Sequence, residues 1–232
     1  MLLLFGLYLL LWLGGIVSIS LTGGPVSGAG WASPAFLLMA AAATIAACPR
    51  EWRAFLAAAC IGFGIEVLGV KSGIPFGQYR YSEVLAPSIF GVPVAIAGAW
   101  LVLIVFVRQM QTPLRLAAVW MAAIDLIIEP LASGRLNFWF WRGLGVWYGV
   151  PYINFIGWYL VSVVILYVAG KPAPRNSIHF YVGLTIQVFF TVLAVVFGLY
   201  GAAAVGVALC MLGLARWMIL TPQQPVTLSL SE

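Results

Sequence analysis

Apolar residues run almost unbroken for about twenty positions at a time along this chain, and most polar breaks between them are short. The runs fall at approximately 2–21, 31–48, 52–70, 92–110, 113–133, 154–170, 178–198 and 202–220. Each is close to the roughly 20 residues a helix needs to cross a bilayer. They are continuous, without the alternation of a barrel strand. The predicted fold is therefore all-α: a polytopic integral membrane bundle of about eight transmembrane helices. Seven is the alternative count, because only the "GLYG" turn at Gly198–Gly201 divides the last two runs. Together those runs are too long for one crossing, which points to a tight hairpin. The opening "MLLLFGLYLLLWLGG" lacks a basic n-region and a small-residue cleavage site, so it reads as a retained first span. Residues 1–220 form a single transmembrane domain without internal repeats, and 221–232 read as a polar, disordered tail.

Composition sharpens this picture. Of 232 residues, 64% are hydrophobic and only 7% charged, with mean hydropathy +1.09. Soluble proteins carry about a quarter charged residues. The pI of 9.3 does not imply nucleic acid, because the eleven Lys and Arg stand singly or in pairs between runs, as topology determinants do. With an even number of spans, Arg50, Arg53, Arg108, Arg115, Lys171, Arg175 and Arg216 share one side. Lys71, Arg80, Arg135 and Arg142 share the other. That asymmetry predicts a multi-pass protein of the inner (cytoplasmic) membrane with both termini in the cytoplasm. Cys48, Cys60 and Cys210 lack metal-ligand spacing and read as packing residues.

Two connections differ from the rest. Residues 71–91 ("KSGIPFGQYRYSEVLAPSIFG") and 134–153 ("GRLNFWFWRGLGVWYGVPYIN") are long and rich in Gly, Pro, Trp and Tyr. Such aromatics suit a membrane interface, and equally a lid over an apolar ligand. Both connections fall on the outer side in this topology.

Three acids sit inside apolar runs: Glu66 in "GFGIEVLGV", and Asp125 and Glu129 in "DLIIEP". Glu66 lies 13 residues beyond Arg53, and Glu129 lies 14 beyond Arg115. At about 1.5 Å per residue, both are roughly 20 Å from the cytoplasmic side. Asp125 is about 6 Å deeper than Glu129 and on the same helix face. Three carboxyl groups therefore converge beneath the aromatic connections. Acids in a bilayer are costly and normally face the bundle interior, where they carry function. The plainer alternative is a helix–helix hydrogen bond, or pairing with Arg80, Arg135 or Arg142. Crowded in apolar surroundings, at least one carboxyl is expected to be neutral and able to donate a proton.

Absences narrow the chemistry. The single histidine, His179, reads as an interface residue and cannot by itself build a multi-histidine iron site. The chain has no P-loop, no Gly-x-Gly-x-x-Gly and no aspartate-rich diphosphate motif. Carboxylic acids, aromatic rings and water remain, which suffice to protonate an alkene and stabilise a cation.

The stretches "EVLGVKSGIPFGQYRYSEVLAPSIFGVP" (66–93), "DLIIEP" (125–130) and "GVWYGVPYINFIGWYLVS" (145–162) closely resemble the membrane carotenoid 1,2-hydratases. This carotenoid-biosynthesis family includes carotene 1'-hydratases and bisanhydrobacterioruberin hydratases. The resemblance covers about residues 50–170. Where this chain has Glu129-Pro130, the family more often has Asp-Pro. The resemblance implies a hydro-lyase that needs no cofactor or metal and adds water across the terminal carbon 1–carbon 2 double bond of an acyclic carotenoid, such as lycopene or gamma-carotene. Glu66, Asp125 and Glu129 are the expected catalytic residues, with Asp125 favoured as proton donor because it is deepest. Tyr79, Tyr81, Trp139, Trp147, Tyr148, Asn154 and Trp158 are the expected substrate- and water-binding residues. The surroundings would be membrane lipid and other carotenoid-synthesis enzymes. A lycopene-type membrane cyclase is the nearest alternative, and a proton-coupled transporter the alternative from another class.

Overall fold

The computed structural model describes residues 2–26, 28–171 and 174–220. The tail 221–232 lies outside the described residues. Among those described, eight α-helices follow in order: α1 (Leu2–Thr22), α2 (Ala32–Ala47), α3 (Trp52–Ser72), α4 (Ala95–Gln109), α5 (Leu114–Glu129), α6 (Tyr152–Ala169), α7 (Ser177–Val196) and α8 (Tyr200–Leu220). Each predicted run holds one helix, and the turn at Gly198 does separate α7 from α8. The bundle is all-α and belongs in a membrane. Six helical stretches are long and apolar enough to cross it, α5 when continued through the π-helical turn to Arg135; α2 and α4 are shorter, at 16 and 15 residues.

The shortness of α4 has a physical reason. The run predicted to start at residue 92 begins with a two-residue strand, β3 (Val92–Pro93), paired with β2 (Ser88–Ile89). The helix starts only at Ala95, and nearly every residue from there to Gln109 is buried. A helix apolar on all sides belongs either in lipid or at a core. Here it is the core, ringed by α2, α3, α5, α6 and α7.

Lipid tails are as apolar as leucine, so burial alone does not bring such helices together; close backbone approach does. A Cβ on Gly62 would overlap Trp100 of α4, and one on Gly183 would overlap Phe106 of α4. One on Gly206 of α8 would overlap Thr191 of α7. Polar anchors close one end of the bundle. Arg108 donates to the carbonyls of Ala169 and Gly170 at 3.0 Å each, to that of Lys171 at 2.7 Å, and to Glu51 at 3.1 Å. Arg216 Nε donates to Met110 O at 3.0 Å. His179, near the start of α7, is buried between helices, with Nε2 at 2.9 Å from the carbonyl of Thr44 and its ring edge-on to Phe55.

The two aromatic connections form one cap at the opposite end. The strand β1 (Tyr79–Tyr81) pairs antiparallel with β4 (Trp139–Trp141), in the register Tyr79 opposite Trp141, Arg80 opposite Phe140 and Tyr81 opposite Trp139. Gly69 and Gly157 let this cap sit close to the helices. A Cβ on Gly69 would lie 2.8 Å from the Tyr79 hydroxyl, and one on Gly157 would lie 2.7 Å from Phe76.

Gly183→Ala should cost about 1–3 kcal/mol through overpacking against Phe106. Gly6, with nothing within 4 Å of an added Cβ, should tolerate the same change. Thermal unfolding in detergent checks this: the midpoint falls by several degrees for Gly183→Ala and stays put for Gly6→Ala.

Candidate active site

Side chains alternate across a strand, so "YRY" and "WFW" each turn two aromatic residues to one face and a third residue to the other. The outward pair is Arg80 and Phe140, with the guanidinium 4.9 Å from the ring centre. The inward face carries two phenols and two indoles, and these are the donors for the buried acids. Tyr79 and Tyr81 both donate to Glu66 Oε2, the latter at 2.9 Å. Trp139 and Trp141 both donate to Glu129 Oε2, at 3.0 and 2.9 Å. Trp100, the lone indole of α4, donates to Glu66 Oε1 at 3.0 Å and stacks on Trp158 with ring centres 4.4 Å apart. Burial, reinforced by the adjacent Glu66 charge, pushes both phenols well above the usual tyrosine range, so both stay protonated donors at neutral pH.

Asn154 at the start of α6 joins the two acids of α5. Its Nδ2 donates to Asp125 Oδ2 and lies 3.4 Å from Glu129 Oε1. Asp125 Oδ1 is buried and has no hydrogen-bond partner among the described residues. Among the described residues no Lys or Arg forms an ion pair with any of the three carboxyl groups; the ion pair present is Arg108–Glu51 at the other end. Arg135 lies over Phe197, at 5.3 Å from the ring centre. The arginine-pairing alternative therefore has no support in the geometry.

Below the ribbon lies a cavity of about 210 Å³ with largely apolar walls. Glu66, Glu129, Tyr79, Tyr81, Trp139, Asn154 and Trp158, all singled out in the sequence, line it. Trp100, Trp141 and Phe76 line it too, although sequence reasoning did not select them. A signal for Trp100 did exist: a single indole N–H in a core helix needs an acceptor. Three expected residues are placed elsewhere. Asp125 is fully buried behind Asn154 and does not reach the cavity wall. Tyr148 is turned to α8, where its hydroxyl accepts from Gly201 N at 2.9 Å. Trp147 serves the backbone. Pro130 has no N–H to offer the carbonyl of Leu126, four residues back. That carbonyl accepts from Trp147 Nε1 at 2.9 Å, while the chain continues through a π-helical turn, Pro130–Arg135.

Residues 32–213 match the family described as carotenoid biosynthesis protein. The chain belongs to that family. All three buried acids, the ribbon and Asn154 fall within the matched residues. A bisanhydrobacterioruberin hydratase of Haloarcula japonica is 32% identical over 131 residues, which cover 50% of this chain and 44% of the relative. The match thus spans less than half of that relative's length. No solved structure matches the chain. Within this carotenoid biosynthesis protein, Glu66 and Glu129 border a cavity suited to an apolar hydrocarbon.

Trp147→Phe keeps the ring but removes the donor to Leu126 O. An unsatisfied buried carbonyl costs about 1–3 kcal/mol. The expected result is a lower melting temperature in detergent. A melting temperature equal to wild type would mean that the π-turn satisfies this carbonyl without the indole.

Proposed function

We propose that this protein adds water across the terminal carbon 1–carbon 2 double bond of an acyclic carotenoid such as lycopene or gamma-carotene. The observation that carries the reading is the pair of carboxyl groups, Glu66 and Glu129, on one apolar cavity, each held by aromatic donors and neither paired with a cation.

The two acids differ in what their hydrogen bonds allow. Indole N–H groups can only donate, so Trp139 and Trp141 occupy Glu129 Oε2; Oε1, whose one contact from Asn154 Nδ2 is long at 3.4 Å, keeps a lone pair for a transferable proton. Glu129 is then the general acid, delivering H⁺ to carbon 2. The two alkene electrons form the new C–H bond, and positive charge develops on the tertiary carbon 1. The faces of Trp139, Trp141 and Trp158 stabilise that charge by cation–π attraction, about 2 kcal/mol for a desolvated ring. An ionised carboxylate has about four acceptor sites, and three on Glu66 are taken by Tyr79, Tyr81 and Trp100. The remaining one accepts a proton from water as its oxygen bonds to carbon 1. Return of that proton to Glu129 closes the cycle, with one water consumed. Asp125, expected from sequence to be the donor, becomes a positioning residue that holds Asn154 against Glu129. The chemistry asks nothing of a redox cofactor or metal.

The relative's name supports hydration over ring closure, and both begin with the same protonation. Membranes incubated with lycopene in ¹⁸O-labelled water without oxygen should yield a tertiary alcohol carrying the label. An isomer of unchanged mass would instead establish the cyclase. Glu129→Gln and Glu66→Gln should each lose about 10²–10⁴-fold in turnover, the scale of general acid–base catalysis. Asp125→Asn should lose less than Glu129→Gln; the opposite order would return the donor role to Asp125.

The seven Lys and Arg of the end opposite the cap support an orientation in the inner membrane with the cap outward and both termini cytoplasmic. In a cysteine-free background, Ser88→Cys in the cap should react with an impermeant maleimide on intact cells. Gln111→Cys, between α4 and α5, should react only after permeabilisation. Exchange of the two results would invert the topology.

A further inference from the structure

The cavity does not end at the carboxyl groups. It continues between α1 and α7, bordered by Gly14, Gly15 and Ser18 on one side and by Ile186, Phe189 and Phe190 on the other. At its far edge it is bordered by Leu10, which is 67% exposed. Gly14 is exposed as well, so the cavity reaches the outer surface of the bundle. That surface is apolar, with Leu10, Leu13 and Val17 turned outward on a helix long enough to cross a membrane. The opening therefore faces lipid.

At the level of Leu10, α1 is tied to α7. Tyr8 Oη lies 2.7 Å from Thr185 Oγ1, and Trp12 Nε1 donates to Thr185 O at 2.7 Å. Above the tie, Gly14 has nothing within 4 Å of an added Cβ, so the gap is open beside it. At Gly15 the Phe189 ring narrows the gap, standing 3.0 Å from where a Cβ would sit. Size then limits what the cavity can enclose. Pockets that swallow a drug-sized ligand measure about 300–1,000 Å³. A volume of about 210 Å³ holds the end of a long hydrocarbon and leaves the rest outside.

We propose that the α1–α7 gap is a lateral mouth through which the linear polyene threads from the bilayer, its end group reaching Glu66 and Glu129 while its tail remains in lipid. The identity of the ligand rests on the hydration reading; the route rests on the cavity. The residues matched to the family begin at 32, so the acids lie inside the match and the α1 wall of the mouth lies outside it.

Two ligands separate the mouth from the acids. Lycopene needs the mouth for its tail, whereas geraniol carries the same terminal alkene on a chain short enough to lie within the cavity. Gly15→Leu fills the gap without touching a carboxyl group. Lycopene retained by the detergent-purified protein should fall by about tenfold or more, with geraniol hydration within about twofold of wild type. Val17→Leu, on the lipid-facing side of α1, should match wild type in both. Undiminished lycopene retention by Gly15→Leu overturns the mouth. So does equal loss of both activities in a variant that melts like wild type, and so does wild-type protein that retains no lycopene. Where Gly15→Leu fails to accumulate, Ser18→Leu is read by the same two measurements. Wild-type protein that retains lycopene through the mouth but hydrates neither alkene would refute the hydration reading and leave the route standing.

Discussion

Two carboxyl groups placed in an apolar bundle demand hydrogen-bond donors, and the rest of this structure is organised around supplying them without a cation. A pairing arginine would satisfy the lone pairs, but it would hold each acid as a fixed anion. Indoles and phenols satisfy them as neutral dipoles. The ribbon of β1 and β4 presents four such donors on one face, and Trp100 adds a fifth from the central helix. The close seating of the cap follows from this demand. A Cβ at Gly69 would strike the Tyr79 hydroxyl, and one at Gly157 would strike Phe76. Both glycines permit the cap to reach down to acids that the helices alone leave uncovered.

The same constraint separates the three acids by their surroundings. Glu66 accepts close hydrogen bonds on both oxygens, Glu129 accepts two on one oxygen and a long one from Asn154 on the other, and Asp125 is held through Asn154. Sequence depth alone ranks Asp125 first, because it lies furthest into the bilayer. Depth along a helix does not reveal what stands between a side chain and a cavity. Asn154, arriving from α6, occupies that place, so accessibility reverses the ranking.

Much of this was legible in the sequence. Residue counts from Arg53 and Arg115 bring Glu66 and Glu129 to one level because both helices rise 1.5 Å per residue, a local rule. The eight helices follow from apolar run length for the same reason. The pairing of β1 with β4 was not legible, since the two strands lie in separate connections and share no local signal. Nor was the work of Trp147, whose acceptor is a backbone carbonyl released by Pro130 in another segment. Trp147 and Tyr148 have the composition of a binding loop, yet both spend their polar atoms on neighbouring backbone. The burial of α4 likewise depends on which helices surround it, and hydropathy cannot tell lipid from neighbours.

Each acid's ribbon donors follow it closely in the chain. Glu66 precedes Tyr79 and Tyr81 by 13 and 15 residues, and Glu129 precedes Trp139 and Trp141 by 10 and 12. During synthesis, then, neither carboxyl group waits long for partners. As α3 enters the bilayer, the segment emerging next already carries the phenols for Glu66. The indoles for Glu129 likewise emerge directly behind α5. Two self-sufficient hairpins of acid and donor can form in order, and pairing of their strands then joins them. The most costly polar groups in the bundle are thereby sheltered by short-range chain closure, before the helices that come last are made.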